Sequence, residues 1–155
     1  MSKQLITKFY EAFAKLDSDA MVSCYHDDIV FNDPAFGTLK GKRAGAMWIM
    51  LCKNAKDFSV EFSNIEASET EGKAHWEATY TFSKTGRKVL NKIDAQFEFK
   101  DGKISKHTDV FNLHTWAKQA IGFKGLLLGG TSFFRNKLHQ QTNRMLDKFI
   151  DSNLS

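Results

Sequence analysis

Residues 75–82 read His75-Trp76-Glu77-Ala78-Thr79-Tyr80-Thr81-Phe82. Trp76, Ala78, Tyr80 and Phe82 alternate with His75, Glu77, Thr79 and Thr81. Successive side chains of a strand point to opposite faces, so this segment predicts a strand with one aromatic, apolar face and one polar face, on which His75 and Glu77 are exposed. The same period of two runs through residues 58–67, 73–83, 88–99 and 103–112. Thr70-Glu71-Gly72, Lys84-Thr85-Gly86 and Asp101-Gly102 stand between these runs as turn signals. Four runs joined by three hairpin-like connections predict a meander of antiparallel strands.

Upstream the period changes. Leu5, Phe9, Phe13 and Leu16 recur on one helical face, with Ser2 available as a cap. Asp17-Ser18-Asp19 breaks that pattern and offers capping oxygens to a shorter helix carrying Met21, Val22 and Tyr25, which exits through His26-Asp27-Asp28. Ile29, Phe31 and Asp33 then alternate with Val30 and Asn32 in a strand that Pro34 ends, because proline cannot donate to a ladder. Asp33 is thereby placed at a strand's end. Gly37 and Gly41 flank a turn, and Ala44, Met47, Trp48 and Leu51 predict a third helix over residues 42–54. Helices first and strands afterwards indicate an α+β domain whose helices cover one face of a curved antiparallel sheet.

Downstream, Leu113, Trp116, Ala117 and Ala120 predict a helix that stops at Gly122, and Thr131 caps a final amphipathic helix carrying Phe134, Leu138, Met145 and Phe149. Between them Leu126-Leu127-Leu128 sit among Gly122, Gly125, Gly129 and Gly130. That segment reads as a packed loop, a hydrophobic lid, a partner-docking element or a shallow membrane contact.

With 155 residues, 42% of them hydrophobic and 26% charged, the chain is sized for one domain with its own core. Cys24 and Cys52 form no Cys-x-x-Cys pair and no zinc set, so both are expected to be reduced. No apolar signal core follows Met1 and no stretch is long enough to span a bilayer, which leads to a cytoplasmic expectation without stable membrane insertion. Residues 1–99 carry 13 basic and 14 acidic groups, and residues 100–155 carry 9 and 4. The basic side chains of the second part are scattered singly among apolar ones and read as a solvated helix face, so no nucleic-acid partner is expected.

Several of these motifs carry a resemblance. Phe9-Tyr10-x-x-Phe13, the helix ending in His26-Asp27-Asp28, the strand Val30-Phe31-Asn32-Asp33-Pro34, and Gly37-x-Leu39-x-Gly41 before a helix resemble the NTF2-like superfamily. Phe97-x-Phe99-x-Asp101-Gly102-Lys103-Ile104 followed by His107-x-Asp109 resembles its SnoaL-like and ketosteroid-isomerase-like members. The resemblance covers residues 4–116 and implies an NTF2-like cone, in which a curved sheet wraps N-terminal helices around an apolar pocket. Residues 1–121 are then the SnoaL-like domain, and residues 122–155 a Gly/Leu-rich segment and C-terminal helix packed on that domain or on a dimer partner. A homodimer through the sheet's outer face is implied, with a small hydrophobic ligand and no cofactor.

The resemblance also implies site residues. Asp33 matches a general-base aspartate that precedes a proline, and Ile93-Asp94 matches the pair holding a protonated, hydrogen-bond-donating aspartate; ketosteroid isomerase is itself the reference example of that arrangement. Phe9 stands where the family places an oxyanion-hole tyrosine. Losing such a donor costs about 10² to 10³ in rate, so steroid isomerisation is not expected, and Tyr10 is turned about 100° away around the helix. Strict alternation puts Asp94 opposite Phe97 and Phe99, so it reaches the pocket only through a bulge near Ala95-Gln96. His107 and Asp109, two apart on a strand, share a face and form the other catalytic candidates, with a structural ion pair as the alternative. Expected pocket walls are Phe9, Phe13 and Phe31 with Trp48, Trp76, Tyr80 and Phe97. No metal is expected. Two functions stay open: an isomerase- or cyclase-type enzyme moving protons on a small hydrophobic carbonyl compound with Asp33 and His107/Asp109, or a non-catalytic binder of an apolar ligand or protein partner.

Overall fold

The computed structural model describes residues 1–154. Helix α1 (Ser2–Ala14) buries Ile6, Phe9, Tyr10 and Phe13 along one face, as their three- and four-residue spacing requires. Met1 rather than Ser2 occupies its N-cap position, and no side chain caps this end. Helix α2 (Ser18–Ser23) is capped by Asp17, whose carboxylate accepts the Ala20 N–H at 3.1 Å. Strand β1 (Tyr25–Asp33) follows at once, so Tyr25 and the His26-Asp27-Asp28 run belong to the strand and not to the helix.

Strand β2 (Gly37–Lys40) pairs back on β1 where the sequence predicts only a turn. Four residues are too few to display a period, although Leu39 is buried. Helix α3 (Lys42–Asn54) then leads into β3 (Ser59–Ala67), β4 (Glu71–Phe82), β5 (Arg87–Lys100) and β6 (Lys103–Val110). These four are antiparallel neighbours in the order of the chain. At the β5–β6 connection Asp101 and Gly102 both have positive φ, 53° and 74°. That is the backbone a tight two-residue hairpin needs, since its twist matches that of the flanking strands.

The sheet runs β2-β1-β6-β5-β4-β3 and is open. It is mixed and not wholly antiparallel, because β1 lies parallel to β6. No hairpin dictates that pairing. The intervening meander carries the chain across the sheet, and β6 returns beside β1 in the same direction, as only a long connection allows. Helices α1, α2 and α3 fill the concave face with one continuous core.

Helices α4 (Leu113–Ile121), α5 (Phe123–Leu128) and α6 (Ser132–Asn153) complete the chain. Asn112 caps α4 and Thr131 caps α6. A second cluster, built from Val89, Leu113, Trp116, Ala117 and Ala120, joins Tyr80, Phe82 and Phe111 of the sheet region to Phe134 and Leu138 of α6. Further along α6, Leu146 rather than Met145 enters the core. The same helix is latched to the body through Arg43, which reaches Asp147 Oδ1 at 2.6 Å and Asn143 Oδ1 at 2.9 Å. No helix among the described residues is long and apolar enough to cross a membrane.

The glycine and leucine run is helical. A Cβ on Gly125 would lie 2.0 Å from the Ala117 carbonyl oxygen, so α5 packs on α4 backbone to backbone through its glycine face. Its leucines are left pointing outward.

Candidate functional site

His107 is the centre of the cone. It is fully buried, opposite Phe31 in the parallel β1–β6 register and opposite Phe97 in the antiparallel β5–β6 register. Ring centroids of Phe97, Phe31, Phe9, Trp48 and Tyr25 stand 4.5, 5.1, 5.4, 6.0 and 6.1 Å from its own. Phe13 and Trp76 extend the same aromatic packing, each against Trp48. The walls predicted for a hollow thus touch one another at the level of His107, and the cone is filled there by its own rings. Tyr80 packs where this core meets the second cluster, and its hydroxyl accepts the Trp116 Nε1–H at 2.7 Å.

Through this packing runs a chain of hydrogen bonds. Trp48 Nε1–H donates to Tyr25 Oη at 2.8 Å, Tyr25 Oη lies 2.8 Å from His107 Nδ1, and His107 Nε2 lies 2.9 Å from Asp109 Oδ1. Trp76 Nε1–H also donates to Asp109 Oδ1, at 3.3 Å. Indole nitrogen can only donate, so the Tyr25 oxygen accepts from Trp48 and gives its own proton to His107 Nδ1. His107 then carries its proton on Nε2 and donates it to the carboxylate. This tautomer gives every donor an acceptor.

Asp33 ends β1 on the same parity as the buried Ile29 and Phe31. Its Oδ1 accepts the N–H groups of Ala35 and Phe36 at 3.0 and 2.6 Å, closing a turn at Pro34. Burial pushes its carboxyl up from 3.8 to about 7, opposed by the two backbone N–H bonds and reinforced by the Asp109 charge. Asp33 itself is half-buried, while Asp109, whose charge reaches it, is buried. Asn91 is buried on the same sheet face as Ile93 and Ala95.

Asp94 is not brought to this group. Pairing between β4 and β5 is unbroken from Glu71↔Glu98 to Phe82↔Arg87, so no bulge turns Asp94 inward. Instead its carboxylate lies 2.8 Å from His75 Nδ1 on the outer face, and His75 Nε2 lies 2.7 Å from Glu77 Oε2. Hydrogen bonds to Asp94 and then Glu77 raise the His75 pKa. His75 and Glu77 are half-buried by this cluster rather than freely exposed.

Three participants escape sequence reading. Tyr25 is hidden behind the polar His26-Asp27-Asp28 run, although it shares the parity of Ile29 and Phe31. Trp48 reads as a pocket wall, and nothing in its spacing reveals the donor it directs at Tyr25. Tyr10, expected to aim elsewhere, has a buried hydroxyl that is the one such side-chain atom without a partner among the described residues. Burial, followed by the charge of Asp109, raises its pKa. No group of metal-ligating side chains occurs among the described residues.

A curved, open, mixed sheet wrapped around helices defines the NTF2-like class of fold. The chain belongs to the SnoaL-like domain family, whose profile matches residues 6–107. Among solved structures it is similar to a candidate polyketide cyclase from Xanthomonas campestris pv. campestris, with 23% identity over 75% of this chain and 93% of that one and a TM-score of 0.62. An LEH-like epoxide hydrolase of M. tuberculosis shares 22% identity over 81% of this chain and 89% of that one, also at a TM-score of 0.62. A protein of ketosteroid isomerase-like fold from Catenulispora acidiphila, in complex with trimethylamine, shares 12% identity over 75% of this chain and 91% of that one, at 0.66. Likeness at these identities is one of fold. No curated protein sequence matches the chain significantly.

Proposed function

We propose that this SnoaL-like protein takes a small hydrophobic carbonyl compound at the Asp33 end of the cone and moves a proton on it, as an isomerase- or cyclase-type enzyme without a cofactor. What supports the reading is a half-buried carboxyl group at the end of β1, Asp33, within reach of the charge of the buried Asp109; burial and that charge push Asp33 up to about 7, where a general base is half-ionised near neutrality. Asp33 removes the proton next to the carbonyl. The same carboxyl group, protonated by that step, gives the proton back to the product carbon, while the negative charge of Asp109, held in place by His107 and Trp76, helps to keep the proton affinity of Asp33 high. His107 acts as a positioning residue, since both ring nitrogens are engaged. The unpartnered hydroxyl of Tyr10 is the donor at hand for a developing oxyanion.

Deuterium exchange at the α-carbon of cyclic hydrophobic ketones, followed by NMR in D₂O, tests this directly. Wild-type protein is expected to catalyse the exchange and Asp33→Asn to abolish it with its circular dichroism unchanged. Full exchange rates in both Asp33→Asn and Asp109→Asn would overturn the assignment.

A second reading, a non-catalytic binder, is favoured by the ring packing that surrounds His107. It predicts no exchange activity, and a protein partner rather than a small molecule inside the ring-filled cone as what native mass spectra find bound. Two subsidiary proposals complete the picture. A homodimer forms through the outer face that carries His75, Glu77 and Asp94, which light scattering would read as twice the chain mass. A cytoplasmic location is supported by Cys24 and Cys52 remaining buried free thiols.

A further inference from the structure

Helix α5 is amphipathic in the inverted sense. Gly125 and Gly129 face α4, where a Cβ would come within 2.0 Å of the Ala117 carbonyl oxygen and 2.7 Å of the Ala117 Cβ respectively. Packing this close leaves no side for the larger residues but the outer one. Phe123 is 72% exposed and Leu127 62%, with Leu126 and Leu128 also exposed. Beyond the Gly129-Gly130 turn, Phe133 is 65% exposed while its neighbour Phe134 packs inward. Five exposed large apolar side chains thus fall within eleven residues, a concentration that marks an interaction surface.

Charge says what covers it. Residues 110–146 contain Lys118, Lys124, Arg135, Lys137 and Arg144 and not one aspartate or glutamate. Among the described residues Lys118, Lys124, Arg135 and Lys137 make no ion pair. Lys137 instead stands 5.5 Å over the exposed Phe133 ring. Two copies of such a face would repel each other, whereas an anionic surface with an oily interior satisfies the cations and the apolar side chains together.

We propose that the α5–α6 turn is a peripheral docking surface for anionic lipid bilayers, with Phe123, Leu127 and Phe133 entering the headgroup boundary and Lys124, Arg135 and Lys137 meeting phosphates. The contact is shallow, and it delivers the cone to the place where apolar substrates dissolve.

Co-sedimentation with vesicles tests it. The full chain is expected to pellet with phosphatidylcholine vesicles containing phosphatidylglycerol, not with phosphatidylcholine alone, and to be released as salt is raised. Lys124→Ser and Arg135→Ser should each weaken partitioning about fivefold. Phe123→Ser with Leu127→Ser should weaken it at least about tenfold, since both apolar anchors are then kept from the bilayer. All four positions are on the surface, so the circular dichroism should match wild type. Failure to pellet with the anionic vesicles, equal pelleting with both kinds, or variants that bind as wild type would each overturn the proposal. So would a Phe123→Ser/Leu127→Ser protein that changes from dimer to monomer in light scattering, because the patch would then be a contact between copies.

Discussion

His107 Nε2 lies 2.9 Å from Asp109 Oδ1 with both side chains buried, and the opposite ring nitrogen is held just as closely by Tyr25. The imidazole is thus a rigid spacer between a hydroxyl and a carboxylate. Tyr25→Phe removes one end of that spacer and strands two polar groups, His107 Nδ1 and the Trp48 N–H, inside the aromatic core. Leaving a buried group unsatisfied costs about 1 to 3 kcal/mol. Urea unfolding of Tyr25→Phe is expected to show a loss in this range, and a stability equal to wild type would mean that water replaces the hydroxyl.

His107→Leu fills much of the same volume but leaves Asp109 with only the longer bond from Trp76. Taking a hydrogen-bond donor from a buried carboxylate costs about 1 to 3 kcal/mol or more. The double variant His107→Leu/Asp109→Leu is expected to recover part of that loss, since no buried carboxylate then lacks its partner. A double variant less stable than His107→Leu would show that the carboxylate is satisfied by other means.

Strand parity alone places His107 and Asp109 on one face, and it places Asp94 outside unless a bulge intervenes; β5 contains no such bulge at that point. Parity cannot say how full a cone is. That depends on whether Phe9, Phe31, Trp48 and Phe97 stand apart or touch, which three-dimensional packing decides. Nor could the parallel β1–β6 pairing be read, because it joins segments more than seventy residues apart through no local turn. The Gly/Leu run stayed ambiguous for a related reason. Glycine usually marks a loop, and its use as a flat helix face becomes visible only beside Ala117.

Gly125 is the sharpest test of that last point. A methyl group there would overlap the Ala117 carbonyl, which is backbone and cannot swing aside. Gly125→Ala is expected to push α5 off α4 at a cost of about 1 to 3 kcal/mol, and faster amide exchange over residues 123–128 would report it. Unaltered exchange would mean that α5 does not depend on this close approach.

The pH dependence of Asp33 has a definite sign. Its folded-state value of about 7 lies above the ordinary 3.8, so the folded protein binds the proton more tightly than the unfolded chain. The stabilisation is complete below about pH 4 and disappears as pH rises through about 7, and its upper bound is about 4 kcal/mol. Asp33→Asn keeps an oxygen for the Ala35 and Phe36 N–H groups and removes the charge. It should therefore flatten the stability profile between about pH 4 and 7 and be more stable than wild type at pH 8. Catalysed α-carbon exchange by the wild type, which needs the ionised carboxylate, should run the other way and rise to a plateau above about pH 7. A stability profile for Asp33→Asn parallel to that of wild type would mean that residue 33 does not titrate in this window.

The turn beside Asp33 is held by helix α6. His139 Nε2 lies 2.8 Å from the Pro34 carbonyl, Thr142 Oγ1–H donates to the Ala35 carbonyl at 2.9 Å, and Asn143 Nδ2–H donates to that of Phe36 at 2.9 Å. Three consecutive carbonyls of the turn that presents N–H groups to Asp33 are thus tied to one helix. Asn143 also receives Arg43, so Asn143→Ala releases the turn and loosens the latch between α6 and α3 in one step. The burial that raises the Asp33 carboxyl should then weaken, while its own N–H bonds, which act in the opposite direction, remain. Carboxyl-carbon NMR titration of Asn143→Ala is expected to show Asp33 moved from about 7 toward 3.8, with thermal stability lower by about 1 to 3 kcal/mol. An Asp33 titration unmoved by this substitution would mean that the sheet and Asp109, rather than the C-terminal helix, set the proton affinity of the site.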